Sequence, residues 1–298
     1  MWLDRLLGAR IAAATVLLLV GIPLSPNRAV GASGVVGGAI ELADVTGQID
    51  PALQAQLDQA AANYKQVAAA DVAAAVTNAD RMVTALQNND LETARQAWGE
   101  ARAAYQRCKV FSVKFPYLAS GIDPKDSTRV GLRAIGARLF TPGAAPPLAQ
   151  SQALADKLHT FQKIYAGAPM YAHGVISGLG YRARGLADWL DKGVAWNQIV
   201  AGQTSIDGIS INDLQNEIQG MELAWNTVFA AIVADRDNGV ATRVTKEFAD
   251  IKPMLAVASF DLMDSQAVSS EVHALADSMA DAVRAIGWLP PREEEAED

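Results

Sequence analysis

Between Leu91 and Cys108 the apolar positions Leu91, Ala94, Trp98, Ala101, Tyr105 and Cys108 recur at alternating steps of three and four. Only an α-helix brings all six onto one line, so this segment commits the chain to burying a helical stripe against other elements. Beside the stripe run Arg95, Arg102 and Lys109, spaced by seven and nearly in line. Their spacing predicts a solvated edge whose aliphatic stems cover the stripe. Asn88-Asn89-Asp90 reads as a turn and cap before this helix, and Pro116 as its stop. Ala119 to Asp126 reads as a turn carrying Asp123 and Asp126. Asp126 or Ser127 can then cap a following helix from Thr128 to Phe140.

The same period runs through most of the chain. Asp50-Pro51 has the form of a helix start, and Leu53, Leu57, Tyr64, Val67, Val72, Val76, Met82, Val83 and Leu86 keep helical spacing. They predict one long helix or two broken near Ala70. Thr141-Pro142-Gly143 through Pro147 divides the chain. Beyond it, helices are expected over Leu148–Tyr165, Pro169–Leu190, Asn212–Asp235, Thr242–Val257 with an interruption at Pro253, and Ser269–Ile286. Gly202 to Ser210 reads as a loop. Gly174, Gly178, Gly180 and Gly185 would let a neighbouring helix approach closely, at a cost of roughly 1 kcal/mol each against alanine. Alanine is abundant and β-branched runs are scarce, so the fold class is all-α, read as two four-helix-bundle-like halves over about 50–140 and 148–290. Short echoes suggest internal duplication. Asn89-Asp90-Leu91 recurs as Asn212-Asp213-Leu214, the Ala119-Ser120 turn as Ala258-Ser259, and Arg133 to Gly136 as Arg284 to Gly287.

The ends carry different signals. Residues 1–32 read as an export signal, with Arg5 and Arg10 before the apolar Ile11–Leu24 and a small-residue cleavage site at Val30-Gly31-Ala32. An uncleaved anchor stays open, because the apolar stretch is only slightly short of a span. Residues 33–49 read as a flexible tether and 291–298 as an acidic, solvated tail. A formal net charge of −8 without a cationic cluster excludes a nucleic-acid surface. Cys108 is the sole cysteine, so no internal disulfide can form, and it reads as a small buried hydrophobe. There is no glycine-rich phosphate loop, no HExxH and no G-x-S-x-G, and His159, His173 and His273 stand isolated. No catalytic residues are expected.

One order of features is more specific. Tyr64, Asn89-Asp90-Leu91, Ala94-Arg95, Trp98, Ala101-Arg102, Tyr105, Ile122-Asp123 and Gly131-Leu132, followed by Asn212-Asp213-Leu214 to Trp225, resemble the imelysin-like family. That family includes the EfeO-type periplasmic component of bacterial iron uptake. The resemblance implies an exported protein of two four-helix bundles with a His-x-x-Glu motif in the helix after the Ile-Asp turn. Here the matching positions are Arg133 and Gly136, and a further family glutamate falls at or beside Cys108-Lys109. Asp123 is kept. A hard cation wants carboxylate oxygens. Two positive charges at about 4 Å instead cost roughly 4 kcal/mol each at an effective dielectric of 20.

The expectation is therefore that Arg133, with Lys109, pairs with Asp123 in place of a metal; the other reading turns Arg133 to solvent. Tyr105, Lys109, Asp123 and Arg133 are the candidate binding residues, and Asp123 and Asp126 the candidate metal ligands. No cofactor is expected, although iron or another metal stays open. The resemblance implies an extracytoplasmic accessory or binding component of iron or metal uptake, partnered by an iron-uptake membrane permease or another envelope protein. The alternative is a helical module of the cell envelope that binds a non-metal ligand or a protein. A peptidase, a label once given to the family, has no nucleophile, base or zinc ligands here to support it.

Overall fold

The computed structural model describes residues 49–112, 114–124, 130–192, 194, 196–206 and 208–288. The export signal, residues 33–48 of the tether, the acidic tail and Asp126 lie outside the described residues. The first helix, α1 (Pro51–Gln87), is continuous through Ala70. Asp50 caps it by accepting the Ala52 N–H, and Pro51 fills the first position, where a missing N–H costs nothing. Its 37 residues span about 55 Å. After a three-residue turn with Asn89 in the left-handed region, α2 (Leu91–Ser112) folds back along it, its first turn capped by Asp90.

A short α3 (Pro116–Ile122) follows, where a turn from Ala119 was expected: Pro116 opens a new helix as well as ending the old one. The next, α4 (Leu132–Phe140), starts later than the expected Thr128, with Gly131 fully extended before it. Then come α5 (Leu148–Gly167) and α6 (Ala172–Lys192), a 3-10 turn at Trp196–Gln198, and a two-residue antiparallel pairing of β1 (Ser205–Ile206) with β2 (Ile209–Ser210) inside the expected loop. Ser210 and Asp213 form a reciprocal capping box at the start of α7 (Ile211–Val228). The helix expected to reach Asp235 breaks at Phe229 into a separate α8 (Ala230–Ala234). Asp237 caps α9 (Asn238–Met254), in which Pro253 sits in the last turn and so ends the helix instead of kinking it. Asp264 caps α10 (Ser265–Ala285).

The chain is all-α, as its periodicity requires, but packing crosses the division at 141–147. Assigned by sequence to the second half, α5 lies against α1 and α3, while α2 is central, touching α1, α4, α6 and α7. The echoed segments also occupy different places: Arg133 to Gly136 lies in the first half of α4, whereas Arg284 is in the last turn of α10 and Gly287 lies beyond its end. Close approach to α2 depends on two glycines. A Cβ on Gly178 of α6 would come within 2.6 Å of the Val110 carbonyl oxygen, and one on Gly220 of α7 within 2.1 Å of that of Arg107. Backbone on both sides leaves no slack, so α6 and α7 press their polar side chains directly against α2.

Candidate functional site

That close packing assembles a buried charge cluster from elements far apart in sequence. Asp123 closes the C-terminus of α3, and its side chain is 1% exposed. Lys109 Nζ of α2 lies 3.2 Å from its Oδ2, and Arg133 Nε of α4 donates to its Oδ1 at 3.1 Å. Gln106, one turn before Lys109, donates to the same carboxylate at 3.3 Å and accepts from Lys109 at 3.0 Å. The Arg133 side chain is 9% exposed, so it is turned inward onto Asp123 and not to solvent.

Lys109 also faces Glu217 of α7, 3.7 Å away, and Glu217 takes a second cation, Arg182 of α6, whose Nε donates at 2.5 Å. Two turns further back on α2, Arg102 donates through Nε to Asp213 at 2.6 Å and also to the Gly208 carbonyl. Arg107 bridges Asp71 of α1 and Asn216 of α7 at 2.7 and 2.6 Å. Among the described residues around Lys109, the cations Arg102, Lys109, Arg133 and Arg182 meet the carboxylates Asp123, Asp213 and Glu217.

The row Arg95, Arg102 and Lys109 is therefore not the solvated edge its spacing suggested. Arg95 donates to the Leu139 carbonyl at 2.7 Å and lies over Phe140, Arg102 is 5% exposed, and Lys109 holds Asp123. The seven-residue repeat aligned them correctly, but what fills the line is three different neighbouring elements.

Charge sets the protonation. Burial alone would raise the Asp123 carboxyl, but Lys109, Arg133 and Arg102 together hold it far below the usual carboxylate range. Burial works against Glu217 too, and Arg182 and Lys109 outweigh it to keep Glu217 below its ordinary value. Burial, followed by the nearby Arg182, pushes the Lys109 ammonium below the usual lysine range. Cys108 is fully buried and donates to the Tyr105 carbonyl, and burial pushes its thiol far up, so it is no nucleophile. Tyr105 packs edge-on against Phe161 in the core, and its hydroxyl has no hydrogen-bond partner among the described residues. Its side chain is fully buried.

Position 136, where the resemblance places the glutamate of the His-x-x-Glu motif, is closed by packing. A Cβ on Gly136 would lie 2.3 Å from Trp98 Cζ2. The indole is fixed there by its Nε1 donating to the Leu132 carbonyl at 2.8 Å, by Phe140 edge-on at 5.5 Å, and by the Arg102 guanidinium over its face at 5.2 Å. A glutamate at 136 would have to displace this ring. Among the described residues no group of three or more His, Cys, Asp or Glu side chains is arranged to hold a metal ion. Among the described residues the donor set at Asp123 is one carboxylate already claimed by two cations, which does not fit iron or another cation. The histidines are dispersed: His159 pairs with Asp80, His273 with Asp191, and His173 stacks on Tyr171.

Sequence reasoning missed Arg182, Glu217 and the pairing of Arg102 with Asp213. The available signal was on α7, where Asp213, Asn216, Glu217 and Gly220 share one face with Leu214 and Met221. Carboxylates on such a face need buried partners.

These features define the class: an all-α protein built round a central helix with a buried ion-pair cluster. The model of the imelysin family, peptidase M75, matches residues 60–164, so the stretch from within α1 to within α5 is imelysin-like. The match includes Trp98, Lys109, Asp123, Arg133 and Gly136 and ends before Arg182 and Glu217. A comparison with curated proteins found no match. No described helix is long and apolar enough to cross a membrane.

Proposed function

We propose that this chain is an exported, non-catalytic, imelysin-like accessory protein of metal uptake in which the cation locus has been replaced by an internal ion-pair cluster. The observation that carries the reading is the clamping of buried Asp123 between Lys109 and Arg133. A carboxylate in that state offers a cation no free pole, and the two cations that hold it repel a third. The protein then acts through its surface on an envelope partner such as an iron-uptake membrane permease, and carries no metal itself. Export rests on the charged, apolar and small-residue pattern of residues 1–32. Calorimetric titration of the purified protein with ferric citrate is expected to give only heats of dilution. A saturable one-site isotherm that Asp123→Ala abolishes would overturn the proposal.

A further inference from the structure

About 14 Å along α6 from Arg182, at its C-terminal end, an open pocket of about 350 Å³ lies against the first turns of α10. It shares no residue with the ion-pair cluster. One carboxylate, Asp191, faces it and is 38% exposed. Two residues of α10 hold that carboxylate from one side: Ser269 donates to Oδ1, and His273 Nε2 lies 2.7 Å from Oδ2. Each oxygen keeps a lone pair for a donor from the pocket. His273 Nε2 is taken up by Asp191, which leaves Nδ1 as its other polar atom.

The apolar wall is rigid. Trp196 donates through Nε1 to the Leu190 carbonyl at 2.7 Å and packs edge-on against Trp189 and at a tilt against Phe260, each with centroids 6.3 Å away. Among the described residues neither lysine nor arginine lines the pocket; Lys192, next in sequence to Asp191, is 81% exposed and pairs with Asp188. The pocket thus presents the Asp191 carboxylate, further polar groups and an indole. The volume falls at the lower end of the range for small-molecule sites.

We propose that this pocket binds a small organic primary ammonium compound, its ammonium donating to Asp191 and its carbon body lying against Trp196. A metal ion is a poorer fit, since a hard cation needs several oxygens and a softer one more than one imidazole. A neutral polyol would leave the charge of Asp191 unanswered. The geometry thus selects for a cation that is also a hydrogen-bond donor.

The test uses the full chain with 2-phenylethylamine as probe and its neutral isostere 2-phenylethanol as control, followed by indole fluorescence and calorimetry. The amine is expected to bind saturably, about tenfold tighter than the alcohol, and to lose about tenfold in Asp191→Asn, which keeps the shape and an acceptor but not the charge. Trp196→Leu is expected to weaken the amine severalfold with unchanged far-ultraviolet circular dichroism. No saturable binding up to about 10 mM, equal affinity for amine and alcohol, or an Asp191→Asn variant that binds the amine as well as the parent would each overturn the proposal. So would a zinc titration showing a His273-dependent site in a protein that ignores the amine.

Discussion

Replacing Asp123 by alanine tests the ion-pair cluster where it is most exposed to failure. The carboxylate is the shared partner of Lys109 and Arg133, whose side chains are 12% and 9% exposed, so its removal strands buried positive charge. Breaking a buried pair from one side typically costs about 3–5 kcal/mol. Lys109 keeps Gln106 at 3.0 Å and Glu217 at 3.7 Å, which places the expected cost near the low end, about 3 kcal/mol. For a domain of this size that corresponds to a fall in Tm of roughly 6–12 °C. Arg133→Met is expected to behave differently. Asp123 would retain Lys109 and Gln106, so the loss should be smaller than for Asp123→Ala. Urea unfolding of both variants at pH 7, followed by circular dichroism, measures the two costs side by side. A cost below about 1 kcal/mol for Asp123→Ala, or a larger cost for Arg133→Met than for Asp123→Ala, would refute the charge reasoning.

Two further outcomes follow from the same geometry. Asp123 and Glu217 both have carboxyls lowered in the folded state, so their stabilisation is complete above the ordinary carboxylate pKa near 4 and drains away as pH falls below it. Urea midpoints are therefore expected to hold steady from about pH 7 to 5 and drop steeply below about pH 4, with a shallower drop in Asp123→Asn. Gly136→Ala is expected to cost about 1–3 kcal/mol, because its Cβ would meet the Trp98 ring at 2.3 Å, and to shift the indole emission; an unchanged spectrum and midpoint would contradict the packing described.

What could be read from the sequence was what is local. The stripe from Leu91 to Cys108 repeats within a few residues, and the long periodic run from Leu53 to Leu86 needed no partner to be seen as helix. Pro116 and Pro253 were noticed as breakers, yet each acts by position: one opens α3, and the other sits harmlessly in the last turn of α9. Asp123, Lys109 and Arg133 could be brought together because they lie within 25 residues and share a resemblance to one motif. The rest of the cluster could not. Arg102 meets Asp213 across 111 residues, and Glu217 meets Arg182 only because Gly178 and Gly220 let α6 and α7 close on α2. A row of cations at helical spacing looks the same whether it faces water or carboxylates, so only packing decides.

The central claim is that ion pairs, and not a cation, occupy the locus around Asp123. Elemental analysis of the protein purified after growth in iron- and zinc-replete medium tests it directly. The expected result is less than about one-tenth of a metal ion per chain, unchanged in Asp123→Ala, as weak adventitious binding gives. One tightly held iron, zinc or copper per chain that disappears in Asp123→Ala would contradict the account.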